Sequence, residues 1–337
     1  MSKDSTQIIK GIAILFMLFL HLFMNLEDAL LCSDIYIQNL PLSHLLTKAC
    51  PPIPLYLIVS GYGLYYKYSH NSLNYYYISK KAKELYTIYW FITIIFVIIG
   101  TFILPSKYII SLSDLINNLT GWKVSYNSPA WYLIPYVILC FISKPLFSIF
   151  VKHNKFVGLF LFIIISIFLM KGLHQFDKSI ASLVSPLTHF NLLISFSIGF
   201  FICRTFDENP EYFRHQVNPI FIITFFCIIA FIKIFLPPTR YDDIYCTLLV
   251  VGIIFMTRNN TFSVVLKWIG GISTYMWLSH YYLYIFLHEF LYSLKYPIII
   301  FIVFTIISIA TALIIKKTYN SFIILFSRYL TKEKLLT

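Results

Sequence analysis

Lys10 and His21 are the ionisable side chains of the first apolar stretch, IIKGIAILFMLFLHLFMNL at residues 8–26. They stand eleven positions apart. On a helix, that number of steps at about 100° each returns to within roughly 20° of the starting face, some 16 Å further along the axis. One face therefore holds both. Asn25 and Asp28 follow His21 by four and seven positions and prolong the same polar stripe. An imidazole in hydrocarbon costs several kcal/mol unless it is paired or hydrated. His21 is thus a candidate for chemistry, with a plain interhelical hydrogen bond as the alternative. The chemistry that suits it is proton transfer near neutral pH, which imidazole performs without a large perturbation of its pKa.

Other stretches carry polar groups in apolar surroundings. PPIPLYLIVSGYGLYYKY, residues 51–68, is interrupted by Ser60, Gly61 and Gly63, small residues that admit a close neighbour, whether helix or substrate. SKKAKELYTIYW, residues 79–90, places Lys80, Lys81 and Lys83 in a basic turn that suits phosphate binding or a simple positive-inside flank. NSPAWYLIPY, residues 127–136, offers Trp131 as a membrane-interface aromatic or as a flat platform for a sugar. In WIGGISTYMWLSHYYLYIFLHEFL, residues 268–291, Ser273, Trp277, His280, Tyr284 and His288 recur every three or four positions and line one face. His288 and Glu289 sit near the end of that stretch, where exposure at the interface is the expectation.

The elements that must position these groups are set by composition. Of the 337 residues 59% are hydrophobic and only 12% charged, well above the apolar share of about 45–50% in soluble globules. The expectation is an all-α, polytopic membrane bundle. Ten apolar stretches approach the length of about 20 residues that a span needs: 8–26, 53–66, 86–104, 131–150, 156–171, 188–203, 218–236, 244–257, 269–291 and 296–315. The net charge of +12 comes from Lys and Arg in short loops, seventeen on the N-terminal side of such a bundle and seven on the other. That asymmetry predicts both termini in the cytoplasm, contact with anionic lipid, and no nucleic-acid surface. Lys144 and Lys233 fall inside apolar stretches, as snorkelling or helix-contacting residues. The six cysteines form no CxxC pair, so no metal site is expected; Cys32 and Cys50 share one outer loop and are either paired or free. The first stretch follows lysines as a signal peptide would, but lacks a small-residue cleavage site, and it is expected to be retained. No stretch outside the spans is long enough for a soluble domain. The chain thus reads as a single membrane-embedded domain over 1–337, with 318–337 as a cytoplasmic C-terminal tail.

Taken in order, these stretches resemble the acyltransferase 3 family of integral membrane acyltransferases. The likeness rests on KGIAILFMLFLH with Lys10 and His21, VSGYGL at 59–64, KKAKELYTIYW at 80–90, AWYL at 130–133 and ISTYMWLSHYYL at 272–283. It covers most of the chain. Lys10 stands where the family often has Arg, and Glu84 where its basic turn commonly ends in a second Arg. The resemblance implies acetyl-CoA or another acyl-CoA as cytoplasmic donor, with no metal, and a hydroxyl of a surface polysaccharide or lipid-linked glycan as acceptor, in the cell membrane. In that scheme His21 is general base or transient acyl carrier, with Asp28 orienting it. Lys10, Lys80, Lys81 and Lys83 hold the CoA phosphates. His280 and Ser60 polarise the thioester or position the acceptor, and Trp131 and Tyr284 contact substrate. The rival reading is a transporter or flippase for a lipid-linked sugar, with His21 and His280 lining its path.

Overall fold

The computed structural model of the chain describes residues 1–108, 111–173, 189, 191–211, 217–237, 239, 241–255 and 261–334. Lys178, Arg214, Arg240 and Arg258, counted above toward orientation, lie outside the described residues. Fifteen α-helices follow one another among the described residues, with 3₁₀ turns at Thr47–Ala49 and Ser128–Tyr132. They are α1 (Lys3–Phe23), α2 (Leu26–Leu30), α3 (Leu42–Leu46), α4 (Pro52–Ser69), α5 (Tyr75–Ile103), α6 (Leu112–Thr120), α7 (Leu133–Lys152), α8 (Lys155–Leu173), α9 (Leu192–Glu208), α10 (Pro219–Phe235), α11 (Asp242–Phe255), α12 (Thr261–Gly270), α13 (Ser273–Phe286), α14 (His288–Ser293) and α15 (Pro297–Lys334). A two-residue hairpin, Tyr36–Ile37 against Leu40–Pro41, is the strand content of the described chain.

Helix falls on each of the ten apolar stretches, but the helices are not ten equal spans. Five described segments are long and apolar enough to cross a membrane: Lys3–Phe23, Leu42–Ser69, Tyr75–Ile103, Ser128–Lys152 and Pro297–Leu325. Lys155–Phe168 and Ile220–Phe235 are shorter apolar helices. The stretch expected as one span over 269–291 is broken. It turns at Gly271 and Ile272, runs as α13, and is interrupted at Leu287 before α14. The last helix continues through the residues expected as a tail, to Lys334.

α1 lies at the centre, against α4, α11, α12, α13 and α15. Its packing on α12 requires absent side chains: a Cβ on Gly11 would stand 2.2 Å from the Leu266 carbonyl oxygen. α4 and α9 cross in the same way, since a Cβ on Gly61 would meet the Phe196 oxygen at 2.1 Å and one on Gly199 the Ile58 oxygen at 2.2 Å. Backbones that close gain dispersion contacts, the main attraction between helices in lipid. Apolar side chains point outward around the bundle, with Phe102, Phe168 and Phe221 at 83%, 75% and 72% exposure. Such a belt is stable facing hydrocarbon and would be a liability in water.

The segment after α5, expected as an outer loop, instead folds back along the bundle. The carbonyls of Asn118, Leu119 and Thr120 at the end of α6 accept from the Tyr89 hydroxyl, Trp90 Nε1 at 2.7 Å and the Tyr86 hydroxyl at 3.1 Å. Those donors lie near the middle of α5, which is about 43 Å long at 1.5 Å per residue. Helix ends leave carbonyls unsatisfied, and away from water other donors of the protein must meet them. Three aromatic donors spaced along one helix do so here. Gly121, at φ 79°, then ends α6 in the left-handed conformation open to glycine. All six cysteines carry free thiols, so Cys32 and Cys50 are not paired.

Candidate functional site

A cavity of about 680 Å³ opens between α1, α4, α5, α7 and α13. Lys3, Lys10, Lys67 and Lys81 line it together with a single carboxylate, Glu84. Lys3, Lys81 and Glu84 are exposed, whereas Met17, Tyr132 and Trp277 at the other end are buried or nearly so. The cavity is therefore open at a cationic mouth and closed at an aromatic floor. Lys3 to Met17 is about 21 Å along α1. Charges facing into a low-dielectric cleft attract anions far more strongly than the same charges in bulk water.

The helices around the cavity deliver the lining for identifiable reasons. Gly61 turns toward α9 to let the helices cross, which leaves Ser60 and Gly63 on the opposite side of α4, facing the cavity. A Cβ on Gly63 would meet nothing within 4 Å. The cluster of small residues is thus divided between packing and open space. On α5, Lys81 reaches the cavity and forms an ion pair with Glu84 at 2.6 Å, while Lys80 and Lys83 are exposed and off the lining. Lys67 lies over the Tyr77 ring at 4.5 Å.

His21 does not line the cavity; Met17, one turn before it on α1, does. His280 likewise stands one turn beyond Trp277, which lines the floor. The two imidazoles face each other, with ring centroids 5.1 Å apart, and Tyr281 meets His21 edge-on at 5.8 Å. His280 Nδ1 lies 2.7 Å from the Trp277 carbonyl oxygen and 3.2 Å from that of Met276. Both partners only accept, so a neutral His280 carries its proton on Nδ1. Its Nε2 is then a lone pair, buried and without a protein partner.

Asp28 belongs to a third station on the same face. Its carboxylate accepts from the Tyr284 hydroxyl and, at 3.0 Å, pairs with His288 Nε2. The oxygens are taken by these partners, so Asp28 orients Tyr284 and His288. The break at Leu287 is what turns His288 back toward α2. Trp131 points away from the cavity and packs on His189, at 4.4 Å between ring centroids; its neighbour Tyr132 lines the floor instead. The structure therefore gathers Lys10, Ser60 and Lys81 in the cavity, sets His21 and His280 just past its floor, and leaves Asp28 and Tyr284 beyond them. Tyr56, Tyr132 and Tyr136 were missed by the sequence reading. The four-residue interval from Tyr132 to Tyr136 was the available signal, but it matches the packing face of any apolar helix.

Among the described residues no group of His, Cys, Asp and Glu is arranged to hold a metal ion. Lys233, buried in α10, pairs with Asp242 at 2.9 Å; Lys144 lies over the Tyr75 ring at 5.6 Å. Each has a local partner outside the cavity, as expected for a helix-contacting lysine.

The fold and cavity define a membrane-embedded helical protein with a basic mouth leading to buried imidazoles. The family described as an acyltransferase domain, acyltransferase 3, matches residues 4–317, and the chain belongs to it. No curated protein and no solved structure matches the chain.

Proposed function

We propose that this acyltransferase takes an acyl group, acetyl in the simplest case, from acyl-CoA entering at the cytoplasmic face. It passes that group to a hydroxyl of a surface polysaccharide or lipid-linked glycan. The observation that carries the proposal is the alignment of the four-lysine mouth, the cavity and the His21–His280 pair along one face of α1. Lys10 and Lys81 suit the donor phosphates as point charges. The pantetheine arm then extends along α1 past Met17.

In the reaction, His21 takes the proton of the acceptor hydroxyl as that oxygen attacks the thioester carbonyl carbon. The tetrahedral intermediate collapses by breaking the carbon–sulfur bond. The departing thiolate takes the proton back from the imidazolium, so no proton is lost or gained. His280 packs on His21 at 5.1 Å between ring centroids and so limits how that ring can turn. Asp28, Tyr284 and His288 suit the acceptor side.

Purified protein in detergent is expected to consume radiolabelled acetyl-CoA. His21→Ala is expected to lower turnover by about 10²- to 10⁴-fold while membrane insertion and melting temperature stay unchanged. An unimpaired His21→Ala enzyme would remove the base assignment, and a protein that neither binds nor consumes acetyl-CoA would favour a transporter.

A further inference from the structure

Two hydroxyls of the cavity lining, those of Tyr56 and Tyr132, are buried without a protein partner, and Tyr132 is the one packed on Trp277 at the floor. The residue is 7% exposed, its oxygen is buried, and no protein group bonds it. The Tyr56 hydroxyl is likewise buried without a hydrogen bond, with the Ser273 side chain beside it, and the Tyr136 hydroxyl lies beside Ser60 and Cys140. Tyr132 is held firmly all the same. It closes the 3₁₀ turn Ser128–Tyr132, with its ring 5.7 Å from Trp277 and 5.5 Å from Tyr136. Trp277 Nε1 in turn donates to the Pro129 carbonyl at 3.3 Å, pinning that turn to α13. A rigid, buried donor without an acceptor costs about 1–3 kcal/mol in a folded protein. Such a cost is kept where a ligand supplies the missing acceptor.

We infer that the Tyr132 hydroxyl receives the carbonyl oxygen of the acyl donor's thioester and stabilises the oxyanion that this oxygen becomes. The inference rests on the acyl-transfer reading above and adds to it the group that meets the developing charge. As the acceptor oxygen bonds to the carbonyl carbon, the π pair moves onto the carbonyl oxygen, and the Tyr132 hydroxyl hydrogen-bonds to it without giving up its proton. When the carbon–sulfur bond breaks, the carbonyl re-forms and the hydrogen bond weakens. The position fits: Tyr132 lies against Trp277, whose carbonyl holds His280 Nδ1 at 2.7 Å. A donor set in advance at such a point, in a medium that excludes water, is worth about 10²- to 10³-fold in rate.

Two CoA analogues that cannot transfer a group test this. One has the sulfur of acetyl-CoA replaced by a methylene group and so a ketone where the thioester carbonyl would lie; the other carries an isopropyl group in place of the acetyl on that methylene, of similar size and with no carbonyl. Wild-type protein is expected to bind the ketone about tenfold more tightly than the alkyl analogue, the value of one buried hydrogen bond. Tyr132→Phe is expected to bind both alike, and Tyr136→Phe to keep the difference. With acetyl-CoA, Tyr132→Phe is expected to lose kcat by about 10²- to 10³-fold, with KM raised by no more than about tenfold. Ligand-free Tyr132→Phe is expected to melt at or above the wild-type temperature, because it loses a polar group with no partner. Equal binding of both analogues by wild type, or a preference that survives in Tyr132→Phe, overturns the inference and leaves the acyl-transfer reading standing. If wild type binds neither analogue, the reading itself fails and this inference with it.

Discussion

Glu84 is the one carboxylate at a mouth otherwise lined by lysines, and it takes Lys81 into an ion pair at 2.6 Å. Both partners are about half exposed, with side-chain accessibilities of 56% and 51%, so the pair adds little to stability. Its effect on an anionic donor is larger, because it cancels a charge at the cavity entrance. Glu84→Gln is expected to tighten acyl-CoA binding about two- to fivefold at low salt, with stability changed by no more than about 0.5 kcal/mol. Titration calorimetry of CoA at several ionic strengths checks this. A weaker complex would mean that Glu84 positions Lys81 rather than masking it. The imidazoles are another residue-scale matter. The tautomer of His280 is not legible in the residue order, because the carbonyls that fix it, those of Met276 and Trp277 one turn back, meet the ring only in the folded geometry.

At the scale of the element, α4 shows how a single glycine-rich turn serves two needs. Gly61 meets α9, where any Cβ would run into the Phe196 backbone, and Gly63 faces open cavity. Gly61→Val is therefore expected to cost about 1–3 kcal/mol or more, seen as a lower melting temperature in detergent. Gly63→Ala is expected to fold as well as wild type and to act only on donor affinity. Equal melting temperatures for the two variants would show that α4 and α9 can separate freely. α6 makes a related point. Its sequence, LSDLINNLT, has the polarity of a surface loop, and so was expected outside the membrane. It lies alongside α5 because Tyr86, Tyr89 and Trp90 supply the donors that its last carbonyls would otherwise take from water. Those aromatics read in sequence as ordinary residues of an apolar span.

For the whole molecule, the net charge of +12 acts on binding through its distribution. Four lysines at one mouth create a field that ions screen, over about 10 Å at 0.1 M salt and about 3 Å at 1 M. Affinity for CoA is expected to fall by about an order of magnitude from about 0.05 M to about 0.5 M salt, whereas affinity for a dephosphorylated pantetheine thioester is expected to change little. Measuring both ligands across that range separates attraction at the mouth from contacts at the floor. Salt-independent CoA binding would mean that the lysines serve only orientation in the membrane.

The sequence by itself determined the class of protein, its largely helical character and the helical face shared by Lys10 and His21. Apolar composition and a period of 3.6 residues are local properties that no packing arrangement can alter. Tertiary structure alone decided what that face meets. It broke the late apolar stretch at Leu287 so that His288 pairs with Asp28. It also set Tyr132, and not Trp131, at the cavity floor. Adjacent residues in a tight turn point in different directions, and which one faces the cavity depends on where α13 anchors that turn. A contact between distant segments is fixed by the way several helices pack together, and no one of their sequences records it.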